Sequence, residues 1–319
     1  MALSNDATTL VTGCCGLLGS HLMAALAPKH RVVGVDRHPW WGDGTATVIE
    51  GDLLTPGFLA DVMDRVRPHL VLHCAALTKV DLCEREPAAA AASNVDVTND
   101  IVRSAPRGCL IVYISTDSVF AGMTPQATET EPPSPVNVYG CSKLEGERIV
   151  AQHAQEHLII RTNFYGWSSG RKPTFAEWLC RGLDTGEPLT LFEDVYFTPI
   201  YVADLVERLL RLVADGQRGV WHLAGGERVS KYQFGCLAAT VGGYAVSRIR
   251  AGSVLHATLS APRAHDMSLS SARFQQATGW SAPSCQEGLR RFWADRARSL
   301  SARVVAVSQA PAVLMRGVV

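Results

Sequence analysis

Short β-branched and apolar runs recur through the first half of the chain, and between them the apolar positions fall at helical spacing. Thr8–Thr12, Arg31–Asp36, Thr47–Glu50, Leu70–Cys74, Cys109–Ser115 and Leu158–Thr162 read as strands. Leu17–Leu26, Phe58–Val66, Glu86–Ser104 and Val138–His157 read as helices, and Pro68 closes the second of them. Such alternation predicts a parallel sheet covered by helices. After Asn163 the pattern loosens. Phe164–Glu193 carries helical spacing broken by Gly and Pro, while Val202–Val213 and Gly219–Leu223 read as a return to the sheet. Ser230–Val241, Ser271–Thr278 and Gln286–Arg296 read as helices of a smaller C-terminal lobe. No repeat or low-complexity linker separates the two parts, which implies one compact body with a cleft between lobes.

Composition narrows the class. A chain of 319 residues with 47% hydrophobic and 19% charged positions can bury a large core. Formal net charge is zero and no basic stripe is present, so neither nucleic acid nor an anionic membrane is an expected partner. The nine cysteines include no C-x-x-C pair and are odd in number, which points to reduced thiols, a cytoplasmic setting and no metal site. No basic-then-apolar leader opens the chain, and no run approaches the ~20 apolar residues of a membrane span. Residues 296–319 read as a C-terminal extension, loosely attached or packed on a partner.

Two constellations carry chemistry. Gly13-Cys14-Cys15-Gly16-Leu17-Leu18-Gly19 lies between the first strand and first helix. Its glycines allow a tight turn, close approach of backbone to a pyrophosphate, and close packing of helix on strand. The anion then meets free N–H groups at the helix N-terminus. Gly13, Cys15, Gly16, Leu17, Leu18 and Gly19 are therefore candidate dinucleotide contacts. Asp36 ends the second strand, 17 residues after Gly19, where a carboxylate can accept from the adenosine ribose. Asp36 suits NAD, whereas the adjacent Arg37 suits the 2′-phosphate of NADP, so the pair points to NAD or to use of both. Asp52 after the third strand has two open readings: acceptor for the adenine amino group, or turn residue.

The second constellation is Tyr139-Gly140-Cys141-Ser142-Lys143, which places a phenol and an ammonium four residues apart on one helix face. A nearby Lys⁺ together with an oxidised nicotinamide is expected to lower the phenol pKa and let Tyr139 exchange a proton with a carbonyl or alcohol. Strand five ends in Ser115-Thr116-Asp117-Ser118, and ligands on open α/β sheets bind beyond such strand ends. Thr116 is the candidate hydroxyl that positions the carbonyl, with Ser115 as its rival.

Taken together, the glycine turn, Asp52, Ala75-Ala76, Ser115-Thr116-Asp117 and Val138-Tyr139-Gly140-x-Ser142-Lys143 resemble the extended short-chain dehydrogenase/reductases. Within them the chain resembles the dTDP-4-dehydrorhamnose reductase (RmlD-like) family, with further matches at Glu86-Pro87, Asn94-Val95, Arg161-Thr162-Asn163, Thr198–Leu205 and Gly219–Leu223. The likeness runs from about Thr8 to Trp293. It implies a Rossmann-type doubly wound parallel sheet with a smaller C-terminal α/β substrate lobe. Residues 1–163 would bind NAD(P), with 195–224 returning to that domain and 164–295 forming most of the substrate lobe. The implied reaction is reduction of a nucleotide-linked 4-keto-6-deoxy sugar in a homodimer, the dimer forming through Glu86–Ser104 and Val138–His157. Thr116, Tyr139 and Lys143 inherit the catalytic roles. Cofactor contacts pass to the turn residues, Asp36, Arg37, Asp52, Leu53, Cys74, Ala75, Ala76, Thr78, Tyr139, Lys143 and Asn163. Substrate contacts pass to Thr78, Val80, Asp117, Ser118, Asn163 and Arg263.

Phe175 and Trp178, in the strip Arg171–Trp178, can stack on a base or sugar, while Arg171 and Lys172 can meet a diphosphate; a solvated loop with core aromatics is the equal alternative. His73 stands where many relatives carry Asn. Ser118 stands where the superfamily's dehydratases carry Glu, which disfavours elimination of water. A nucleotide-sugar epimerase and a non-catalytic regulatory subunit that binds cofactor remain the alternative functions.

Overall fold

The computed structural model describes residues 7–40, 46–168 and 173–298, so Arg171, Lys172 and the extension beyond 298 lie outside the described residues. In chain order the elements are β1 (Thr8–Thr12), α1 (Leu17–Leu26), β2 (Arg31–Asp36), β3 (Thr47–Glu50), α2 (Phe58–Val66), β4 (Leu70–His73), α3 (Val80–Arg85) and α4 (Pro87–Ala91). A wide π turn, Ala92–Asp96, leads into α5 (Val97–Ser104), followed by β5 (Leu110–Ile114), α6 (Val138–His153), β6 (Glu156–Arg161), β7 (Phe164–Tyr165), α7 (Phe175–Thr185) and β8 (Leu189–Phe192). Then come β9 (Tyr196–Phe197), β10 (Ile200–Tyr201), α8 (Val202–Ala214), β11 (Gly219–His222), β12 (Val229–Ser230), α9 (Lys231–Gly242), β13 (Ile249–Gly252), α10 (Ala272–Thr278) and α11 (Cys285–Ala294).

Seven parallel strands form the main sheet in the order β11-β6-β5-β4-β1-β2-β3. The order reverses between β1 and β4, and that switch point opens a crevice at the carboxyl ends of the strands. Strands β1, β4 and β5 are buried on both faces, as their unbroken apolar runs require. One apolar layer lies under α1 and α8, including Leu18, Leu22, Val206 and Leu209. A second lies under α2, α5 and the far side of α6, including Leu59, Met63, Ile101 and Val150. Beyond the main sheet, three two-stranded ladders join β7 to β10, β9 to β12 and β8 to β13.

Several sequence expectations need correction. The helix expected to reach His157 stops at His153, because Glu156 pairs with Leu110 and the sheet takes the next residues as β6. The stretch Phe164–Glu193 is not one helical region. It holds β7, α7 and β8, with Thr174 and Glu177 closing a capping box that fixes where α7 begins. Of the expected return to the sheet, Gly219–His222 pairs in parallel with β6, whereas Val202–Ala214 is a helix packed on α1. Helix α3 and strand β13 are too short to announce themselves by periodicity.

Candidate active site

The glycine turn is shaped by steric necessity. Gly13 has φ +66°, and a Cβ there would lie 2.7 Å from the Ala75 nitrogen. A Cβ on Gly19 would collide with the Gly13 carbonyl, so α1 can approach β1 only with glycine at this position. Gly16 caps α1 without a side-chain bond, and the first turn carries no acidic residue. Its N–H groups are thus left for an outside anion. Asp36 Oδ2 accepts from the Cys15 N–H at 3.0 Å and Oδ1 from the His38 N–H at 3.0 Å. The carboxylate thereby ties the turn to the end of β2 while retaining lone pairs for a ribose. Arg37 beside it is exposed. Asp52 is exposed and accepts from the Leu54 N–H at 3.0 Å, so it caps a turn; Leu53 is half-buried beside it. Cys14 packs against Gly34, and burial pushes its thiol far above the ordinary range, which keeps it a neutral apolar filler.

A chain of buried polar groups fixes the segment that follows β4. His73 Nδ1 lies 2.8 Å from the Thr12 hydroxyl and Nε2 lies 3.1 Å from the Thr98 hydroxyl. The Thr98 hydroxyl donates to the Asn94 carbonyl, and Thr12 Oγ1 accepts from the Ala75 N–H. One tautomer, protonated at Nε2, satisfies every group in the chain. Burial first, and then the Lys143 charge, lower the His73 pKa to about 3, so it stays neutral. The π turn aims Asn94 inward, where its side chain bonds both backbone groups of Leu77 and the Ser142 hydroxyl. The segment holding Cys74, Ala75 and Ala76, then Thr78 and Val80 at the start of α3, is thereby pinned to α6. His73 replaces the expected Asn and serves the same strand end from inside. Sequence reading had no signal for its partners, because Thr12 and Thr98 are remote in the chain.

Helix α6 starts where Asn137 Oδ1 accepts from the Gly140 N–H, and Gly140 allows the helix to touch the Ser118 carbonyl. This brings Tyr139 beside Thr116, close enough for the Thr116 hydroxyl to favour the phenolate. Ser115, the rival, is spent internally, donating to Glu147 Oε1 at 2.5 Å. Glu147 also receives Arg161 in a bidentate pair, with Nη2 to Oε2 at 2.7 Å. One turn before Glu147, the Lys143 ammonium stands 4.0 Å over the Tyr113 ring. Burial lowers its pKa to about 7, against the opposing pull of Glu147.

The expectation of a lowered Tyr139 pKa is reversed in the protein alone. Desolvation raises it, the Thr116 hydroxyl nearby opposes the rise, and the Asp117 charge adds to it. The Lys143 ammonium meanwhile lies over the Tyr113 ring. A phenol held protonated is the form a proton donor requires.

Beyond Thr116 lies the buried Asp117. Its Oδ1 accepts from the Thr116 hydroxyl at 3.0 Å and the Ser118 hydroxyl at 3.3 Å, and Oδ2 accepts from Asn163 Nδ2 at 2.5 Å. Asp117, Ser118 and Asn163 are therefore one cluster. Phe175 stacks on the exposed Trp178 with ring centroids 6.0 Å apart. Arg263 is engaged elsewhere, donating to Asp81 Oδ2 at 2.7 Å and to the Ala261 carbonyl at 2.8 Å. Lys231, which sequence reading passed over, opens α9 close enough for its charge to favour ionised Asp117. Its signal was available, since a cation in the first turn of a helix opposes the dipole.

A doubly wound parallel sheet with a phosphate-fitting glycine turn at β1, and Thr116, Tyr139 and Lys143 at the end of β5, defines an extended short-chain dehydrogenase/reductase. The comparisons place it further. The family model for the RmlD substrate binding domain matches residues 7–298, and the chain belongs to that family. It is 30% identical to a dTDP-4-dehydrorhamnose reductase of Shigella flexneri, over 89% of this chain and 96% of that protein. It is also 30% identical to methionine adenosyltransferase 2 subunit beta of Danio rerio, over 72% of each chain. Among solved structures, dTDP-4-dehydrorhamnose reductase of Bacillus anthracis in complex with NADP superposes with a TM-score of 0.82 at 27% identity, covering 91% of this chain and 99% of that one.

Proposed function

We infer that this chain is an NAD(P)H-dependent reductase of a nucleotide-linked 4-keto-6-deoxy sugar. The observation that carries the reading is the grouping of Thr116, Tyr139 and Lys143 beyond the end of β5, next to a turn built for a pyrophosphate. A reduced nicotinamide bound at that turn would supply the hydride. Gly13, Gly16 and Gly19 clear the backbone for the dinucleotide, Asp36 receives the ribose, and the pinned segment from Cys74 to Thr78 borders it. Tyr139 donates its phenolic proton to the carbonyl oxygen, and Thr116 orients that oxygen. Lys143 stabilises the phenolate left behind. Ser118 offers no carboxylate for elimination. Residues 1–163, with 195–224, hold the cofactor, and 164–295 hold most of the substrate. The working form is a cytoplasmic homodimer, for which light scattering showing a dimer is the expected result and a monomer the contradicting one.

The likeness to an adenosyltransferase subunit favours a second reading, a cofactor-binding regulatory partner. Titration with NADH and NADPH, followed by a panel of dTDP- and GDP-linked 4-keto-6-deoxy sugars, separates the two. Consumption of reduced cofactor with one sugar supports the reductase. Tight cofactor binding without turnover, together with co-purification of an adenosyltransferase, supports the alternative.

A further inference from the structure

Cys14 and Cys15 stand side by side in the glycine turn, and a third donor reaches them from the end of β2. The two Sγ atoms and an Asp36 carboxylate oxygen all lie within 4.8 Å of one another, and among the described residues no other three His, Cys, Asp or Glu side chains converge this closely. The turn holds them there. Asp36 Oδ2 accepts from the Cys15 N–H at 3.0 Å, and the Cys15 thiol donates to the His38 carbonyl at 3.3 Å. Cys14 rests on Gly34, where a Cβ would lie 2.7 Å from its sulfur. Cysteine spacing argued against a metal because no C-x-x-C pair is present. The pairing of β1 with β2 instead supplies a carboxylate 21 residues along the chain from Cys15.

The donor set selects the ion. Ca²⁺ and Mg²⁺ take oxygen ligands, whereas two sulfurs and a carboxylate suit Zn²⁺. Such ligands stand about 3.5–4 Å apart around a tetrahedral ion, so side-chain movements of about 1 Å would close the three donors on it, with water in the fourth position. Two thiolates and a carboxylate around Zn²⁺ leave one net negative charge. It falls at the N-terminus of α1, which has no side-chain cap and no acidic residue in its first turn, so the helix end favours it. The ion would displace the proton that burial otherwise holds on Cys14.

We propose that Cys14, Cys15 and Asp36 form a Zn²⁺ site whose filling excludes the dinucleotide, because the ion takes the carboxylate that the adenosine ribose needs. The exclusion rests on Asp36 as the ribose acceptor; the site itself does not. Full-length Cys141→Ser protein, which lacks the exposed cysteine, is titrated with Cd²⁺, whose ultraviolet charge-transfer band reports thiolate ligation. The band is expected to saturate at one Cd²⁺ per chain, to be bleached by Zn²⁺ and to fade as NADH is added. Cys14→Ala and Cys15→Ser in that background, each checked for unchanged melting by circular dichroism, are expected to weaken Cd²⁺ binding at least tenfold, since changes behind the ligands alone cost about 10–100-fold. Unchanged Cd²⁺ affinity in both variants would put the metal on other thiols and overturn the site. A band that survives saturating NADH would overturn the exclusion. The metal-free NADH affinity of Asp36→Asn then separates the causes: if it equals that of wild type the ribose assignment has failed, and if it is weaker the metal leaves the ribose acceptor accessible.

Discussion

Replacing Glu147 by Gln removes one negative charge from the centre of the fold. The Glu147 and Arg161 side chains are each 5% exposed, and Glu147 takes three short bonds from Arg161 plus one from Ser115. The amide would keep the shape but leave the guanidinium uncompensated, with Nη1 already lacking a partner and the Phe120 ring 5.1 Å away as the remaining attraction. Breaking one side of a buried pair costs about 3–5 kcal/mol. At roughly 2 °C per kcal/mol for a domain of this size, melting followed by circular dichroism at neutral pH should fall by at least about 6 °C. Glu147→Leu combined with Arg161→Met should recover most of that loss, since an apolar pair of similar volume removes the stranded charge. Activity gives an independent readout. Burial depresses Lys143 to about 7, and Glu147 works against that depression, so the ammonium is lost as pH rises through this range and is lost earlier without Glu147. The alkaline limb of kcat/KM for reduction should therefore move to lower pH in Glu147→Gln. A variant that melts within about 1 °C of wild type, with the limb in place, would refute the reasoning on both counts.

Other sites give sharper local tests. Gly19→Ala places a methyl against the Gly13 carbonyl and should weaken NADPH binding at least tenfold by fluorescence titration, whereas Gly108→Ala, which meets no atom within 4 Å, should bind normally. His73→Leu leaves the Thr12 hydroxyl proton without an acceptor, at about 1–3 kcal/mol, while Thr98 keeps its bond to the Asn94 carbonyl, and its urea midpoint should drop below that of His73→Asn, which can still bond Thr12. Ser230→Ala removes the cap of α9 and should cost about 1 kcal/mol in urea unfolding without changing NADPH affinity.

The parts of this molecule that were legible in its sequence are those governed by local rules. Strands β1, β2 and β3 and helices α1 and α2 stand where periodicity puts them, because each is a short apolar run closed by Gly, Pro or a charged residue. The glycine turn was legible because backbone geometry and steric clearance demand glycine at Gly13 and Gly19. What escaped was set by partners distant in the chain. Glu156 and His157 look helical in isolation and become strand because Leu110 and Ile111 pair with them. The phenol of Tyr139 looked set for a lowered pKa from the i, i+4 spacing to Lys143, yet its burial by residues distant in the chain raises it instead. Thr116 was chosen over its rival Ser115, and the buried partner Glu147 that engages Ser115 lies too far along the chain to have been read from sequence. Lys231 belongs to the same class, since the packing of α9 brings its ammonium over the rings of Phe197 and Phe175, which lie more than thirty residues away in the chain.

The central claim is that Tyr139 delivers the proton in a carbonyl reduction that uses a cofactor held by the glycine turn. Wild type and Tyr139→Phe should be compared by loss of NADPH and NADH absorbance with a dTDP-linked 4-keto-6-deoxy sugar, alongside cofactor affinity. The account predicts cofactor consumption by wild type, a fall in kcat of about a hundredfold or more in Tyr139→Phe, and little change in cofactor affinity. Full turnover by Tyr139→Phe would contradict it.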